Sequence, residues 1–142
     1  MGRVAAVCVS PHKGTPKKNV QRVEVLEDFG LKGDAHGGSW HRQVSLLPEE
    51  SIEGFRARGA DVEYGAFGEN LVIRGYDLKS LPLGTRFCCG EAVLALTQVG
   101  KECHHGCAIQ KAMGDCIMPR EGVFCKVEKG GFVRAGDEFF VL

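Results

Sequence analysis

The sequence predicts a mainly β protein, a β-barrel with short helical insertions. Short runs rich in Val, Leu, Ile and Phe recur at fairly even spacing. Glycine-containing turns separate them, and 20 glycines are spread through 142 residues. Only two segments read as helix, and both are too short for a parallel βαβ fold.

Arg3 to Val9 reads as the first strand, ended by SPHKGTPKK. Gln21 to Leu26 alternates Val23 and Val25 with polar residues, the period of a half-buried strand. An irregular stretch follows, DFGLKGDAHGGSWHR, and then a third strand from Gln43 to Leu47. PEESIEGFRARG is the clearest helix. Pro48 suits its first position, with Leu47 as a poor N-cap. Glu49 and Glu50 suit the positive end of the dipole, Ile52 and Phe55 share a face, and Gly59 can close the C-terminus. Strands resume at Asn70 to Arg74, Thr85 to Cys89 and Ala92 to Gln98. A second helix is expected from about His104 to Met113, stopped by Gly114. Gly122 to Glu128 and Phe132 to Val133 are expected to form a hairpin around Lys129-Gly130-Gly131, and DEFFVL closes the chain as a strand.

The length suits a single domain over residues 1–142, and a hydrophobic fraction of 44% suffices for a core. Eighteen basic residues balance 18 acidic ones. No global field steers the protein to nucleic acid or acidic membranes. No run resembles a signal-peptide core or a membrane span, so a cytoplasmic protein is expected. In a reducing compartment the seven cysteines are thiols, whose value lies in packing, metal ligation or reactivity.

Three motifs can carry chemistry. In GLKGDAHGG, Gly30, Gly33, Gly37 and Gly38 allow close backbone approach. Lys32, His36, His41 and Arg42 supply cations or donors, and Asp34 can hold one of them. Such a loop either cradles a phosphate or is a solvated turn; it lacks P-loop spacing. In GENL, Asn70 can satisfy nearby backbone groups, while Glu69 either orients a ligand or belongs to a turn. The third is KECHHGCAIQKAMGDCIMPREGVFCK, from Lys101 to Lys126. Cys103 lies just before the expected helix, beside Lys101, His104 and His105. A thiol there has a lowered pKa and is a better nucleophile or metal ligand. Cys107 shares its helix face. A zinc or iron–sulfur site would draw on Cys103, Cys107, Cys116 and Cys125, although their spacing is not a standard one. A transient disulfide from Cys103 to Cys107 or Cys116 is the third reading. Arg120, in a Pro-Gly turn, suits a phosphate clamp or a plain surface position. Cys8, Cys88, Cys89 and Cys125 are expected to pack as small hydrophobes.

Taken in order, GLKGDAHGG, RQVSLL, FGENLVIRG, LPLGTRFCCGEAVLALTQ, a following cysteine and V-x-x-GDEFFVL resemble the MOSC domain. That domain is named for the C-terminal part of molybdenum-cofactor sulfurases. The resemblance implies a MOSC-type β-barrel that handles the pterin-based molybdenum cofactor, or sulfur destined for it. The family's cysteine matches Cys103, implied to carry a persulfide or to ligate molybdenum. Lys32, His36, Arg42 and Arg120 would then hold the cofactor's phosphate, with Asp34, Glu69, Asn70, Gln98 and Lys101 completing the cofactor-binding set. Glu102 stands where many members have proline, and Cys107 and Cys116 are additional, as in a subgroup of small stand-alone proteins. The large enzymes extract sulfur with a separate pyridoxal-phosphate domain. This chain has none, so pyridoxal phosphate is not expected, and a sulfur-donor protein or a molybdoenzyme is the implied partner. The alternatives are a molybdenum-dependent reductase of N-hydroxylated compounds with a separate electron donor, and a non-enzymatic zinc or iron–sulfur module.

Overall fold

The computed structural model describes residues 2–12, 15–100 and 121–142. Its strands are β1 (Gly2–Val9), β2 (Lys18–Asn19), β3 (Arg22–Leu26), β4 (Gly30–Leu31), β5 (Val44–Pro48), β6 (Leu71–Arg74), β7 (Arg86–Cys89), β8 (Ala92–Val99), β9 (Val123–Lys129), β10 (Gly131–Arg134) and β11 (Glu138–Val141). A helix, α1 (Glu49–Ala57), follows β5. The helix expected at His104 to Met113 lies outside the described residues.

Seven strands close a barrel in the order β1, β6, β5, β9, β8, β7, β11, with β11 pairing back onto β1. β2 extends β1, and β10, β3 and β4 form a separate small sheet. Every barrel pair is antiparallel except β5 and β6. β5 and β6 are parallel because α1 and the segment after it carry the chain back, so that β6 starts at Leu71 beside Leu46. All five residues of β5 are accordingly buried. A strand covered on both faces reads as a continuous apolar run.

Two cores result. Leu46, Leu71, Ile73, Leu94, Leu96 and Phe139 fill the barrel, and Phe87 stacks on Phe139 at 4.8 Å between centroids. Outside the wall, Leu47, Ile52, Phe55, Val72 and Phe124 pack beneath α1. β1 serves both cores through a bulge at Ala5. Val4 and Val7 face the barrel, whereas Ala6 and Cys8 face the α1 layer. An extra residue of this kind shifts the side-chain alternation by one.

Two sequence expectations are corrected. Pro48 is the N-cap of α1 rather than its first residue. It stays extended (φ −64°, ψ 134°) and is also the last residue of β5, so strand and helix meet without a loop. The expected hairpin does not form: β9 pairs with β5 and β8, whereas β10 pairs with β3. Gly130 explains the detour. A Cβ there would lie 2.6 Å from the Val25 carbonyl oxygen, so the chain crosses close over β3 and leaves the barrel for the small sheet. No helix among the described residues is long and apolar enough to cross a membrane.

Candidate functional site

The glycine-rich stretch after β4 is pinned to the end of β1. Ala35 N–H donates to Ser10 O at 2.8 Å, and Gly38 N–H to Phe29 O at 2.8 Å. Asp34 is buried beneath it. Its Oδ1 accepts Lys17 Nζ at 2.7 Å and Ser10 N–H at 3.1 Å, and its Oδ2 accepts the His36 N–H at 3.3 Å. Both side chains of the Lys17–Asp34 pair are fully shielded from solvent. Lys17 Nζ also lies 2.8 Å from His36 Nδ1. Lys17 was not foreseen: nothing local distinguishes it from Lys18 beside it.

The loop then presents Trp40, His41 and Arg42. Trp40 Nε1–H donates to His36 O at 2.8 Å. The Arg42 guanidinium lies 5.1 Å from the Trp40 ring centroid and 5.5 Å from that of Phe124. Its Nε is buried and, among the described residues, is the sole buried side-chain nitrogen or oxygen without a hydrogen-bond partner. Buried donors are nearly always satisfied, so this nitrogen stands out in the loop.

His41 ties the loop to the end of β8. Thr97 Oγ1–H donates to His41 O. Gln98 Nε2 donates to Gly100 O at 2.7 Å, which leaves Gln98 Oε1 to accept His41 Nε2–H, also at 2.7 Å. Gly100 N–H in turn donates to Gly122 O at 2.7 Å. Lys101 follows Gly100 in the sequence, and Glu121 precedes β9.

Of the other residues named from sequence, Lys32 is exposed, 3.8 Å from Glu24. Asn70 fastens three strands: Oδ1 accepts Ser45 N–H at 3.0 Å, and Nδ2 donates to Cys8 O at 3.1 Å. Glu69 is wholly buried and accepts Gly65 N–H at 2.8 Å and Phe67 N–H at 3.0 Å, closing the turn before β6. Lys101, Cys103, Cys107, Cys116 and Arg120 lie outside the described residues. Among those described, no three His, Cys, Asp or Glu side chains are grouped to hold a metal.

Burial pushes the Glu69 carboxyl up to about 7, against the lowering effect of its backbone donors and of Lys17. The folded state therefore favours the protonated acid. Its contribution to stability is greatest below the ordinary carboxylate range and is lost as pH rises from about 4.5 to about 7, a fall of about 3 kcal/mol. Urea unfolding across that range should show this slope in the wild type and its loss in Glu69→Gln.

Cys8, Cys89 and Cys125 are poor nucleophiles. Burial pushes the Cys8 thiol up to about 12, with Glu69 adding to the effect. It pushes Cys89 and Cys125, both without solvent exposure, further still. Cys88 is half-buried, with its thiol toward Gly90 O. These four pack much as expected. Cys125 belongs to the barrel core.

The MOSC domain family profile matches residues 33–139. No curated protein matches the sequence. Among solved structures, the chain is similar to the YuaD protein from Bacillus subtilis, at 22% identity and a TM-score of 0.78 over 98% of this chain and 94% of that one. It is also similar to YiiM from Geobacillus stearothermophilus, at 20% identity and a TM-score of 0.75 over 100% and 75% of the two chains. YiiM from Escherichia coli aligns at 22% identity and a TM-score of 0.66 over 99% and 69%. Such identities speak to the fold alone; the profile match spans most of the sequence, and the chain belongs to the MOSC domain family.

Proposed function

We propose that this protein binds the molybdenum cofactor at the Trp40–Arg42 loop and carries sulfur for it on Cys103. The MOSC family is associated with molybdenum-cofactor-related functions. The observation that carries the reading is the buried, unpartnered Nε of Arg42, framed by two aromatic rings. A guanidinium so placed is pre-organised for an anionic group, and flanking rings suit a planar heterocycle. The cofactor offers both, as a phosphate and a pterin. Arg42 and His36 would hold the phosphate, with Lys101 and Arg120 added from the neighbouring segment. The bound group supplies a sulfur-accepting metal.

Cys103 does the chain's own chemistry. Its thiolate attacks the outer sulfur of a persulfide on a donor protein. The new sulfur–sulfur bond forms on Cys103 as the old one breaks, and the donor leaves as a thiolate, so no external oxidant is needed. The buried thiols of Cys8, Cys89 and Cys125 stay protonated and do not compete.

The test is an anaerobic titration of the purified protein with molybdenum cofactor, followed by pterin absorbance, with Arg42→Met in parallel. Losing one charged hydrogen bond should weaken binding about 10- to 100-fold. The fold should hold, because the Nε removed has no protein partner. A folded wild type that does not bind, or a variant that binds equally well, would reject the site.

A further inference from the structure

Lys17 is an ammonium sealed inside the protein, on the segment that joins β1 to β2. Its backbone is fixed, since Lys17 N–H donates to Gly65 O at 2.8 Å. Gly65 has φ +97°, and a Cβ there would overlap the Lys17 carbonyl oxygen, so glycine is what lets the two segments approach this closely. From this position Nζ reaches two acceptors, Asp34 Oδ1 at 2.7 Å and His36 Nδ1 at 2.8 Å.

The second contact decides the state of the histidine. An ammonium group has three protons and no lone pair, so it can only donate. At 2.8 Å it is attractive to Nδ1 only if that nitrogen is bare. A proton on Nδ1 would set two donors against each other. Asp34 does not reverse this. Its Oδ1 holds the Lys17 charge, and its Oδ2 lies 4.0 Å from Nδ1 while accepting the His36 backbone N–H at 3.3 Å. Among the described residues, the charged groups facing the ring are Lys17, from the β1–β2 segment, and Asp34, from the ring's own loop. Glu69 acts on the cluster through Lys17.

We infer that Lys17 is a positioning residue that fixes His36 as the neutral tautomer with its proton on Nε2. The loop then carries one permanent cation, Arg42, and one uncharged imidazole, His36. A neutral imidazole adds no second charge to the loop. This inference deepens the reading of the loop as an anion site and rests on it for its purpose. The tautomer itself is a property of the protein alone.

Nitrogen-15 NMR of histidine-labelled, ligand-free protein tests it, with His36→Gln assigning the signal. In the wild type, His36 should show a bare Nδ1 and a protonated Nε2, and should titrate below the ordinary midpoint of about 6.5. Lys17→Met alone would bury an unbalanced carboxylate, so the working variant is Lys17→Met with Asp34→Asn, checked by circular dichroism. There His36 should populate both tautomers and titrate near its ordinary midpoint. Inorganic pyrophosphate, as the anion probe at pH about 7.5, should bind the double variant about two- to tenfold more weakly. Ordinary titration of wild-type His36 would overturn the inference, and so would unchanged pyrophosphate affinity in a variant that has lost the tautomer. If the tautomer is as stated but the wild type binds neither pyrophosphate nor the cofactor, the anion-site reading falls and the Lys17–His36 lock stands.

Discussion

Asp34→Ala should lower stability by about 3–5 kcal/mol, the range for removing one partner of a buried ion pair. The cause is what remains. Lys17 keeps its ammonium in a pocket without solvent, and Ser10 N–H and His36 N–H lose their acceptor. For a chain of this length the melting temperature should fall by about 10–20 °C. Lys17→Met in the same background should recover part of the loss, because the stranded charge goes with it. Thermal unfolding of the single and double variants gives the coupling directly. A single variant within about 1 kcal/mol of wild type would show that Lys17 sheds its proton or reaches water, and the buried pair would lose its role in holding the loop against β1.

Much of the barrel could be read before the structure, because alternation and glycine punctuation are local signals. β1, β3 and β5 to β8 fall within a residue or two of their expected bounds, and Ile52 and Phe55 face inward from α1 as their spacing required. What could not be read is who pairs with whom. The parallel contact between β5 and β6 depends on how α1 lies across the wall, and the β9–β10 turn yields to the close crossing of Gly130 over β3. A strand's pattern shows which face is buried, not which neighbour buries it.

The site divides along the same line. GLKGDAHGG marked the loop, and the structure brings Asp34 and His36 of that motif together. Their shared partner, Lys17, arrives from the β1–β2 segment and left no trace in its own neighbourhood. Glu69 makes the turn contacts that its position suggested. Asn70 reaches instead to Ser45 and Cys8, residues brought close only by barrel closure. His41 and Gln98 are joined for the same reason. Polar residues with local partners were legible, whereas those with partners across the sheet were not.

Cys103→Ser should abolish sulfur acceptance, leaving only the background reaction, while stability stays close to wild type. The reasoning is chemical selection among seven thiols. Three sit in cores where burial holds them protonated at neutral pH, and a protonated thiol is a poor nucleophile. Cys88, in a barrel strand, turns its thiol to a backbone carbonyl. The remaining three are Cys103, Cys107 and Cys116, and Cys103 follows most directly on the Gln98–Gly100 clamp that ties β8 to the Arg42 loop. Exposure to inorganic polysulfide, followed by peptide mass spectrometry, should add the mass of one sulfur atom to the Cys103 peptide in the wild type. The same addition should survive in a Cys107→Ser, Cys116→Ser double variant and vanish in Cys103→Ser. Arg42→Met should accept sulfur normally yet bind the cofactor poorly, since the two residues carry separable steps. If Cys103→Ser still accepted sulfur while the double variant did not, the carrier would be one of the two additional cysteines. The cofactor site at Arg42 would then be served by a thiol that the family pattern does not mark.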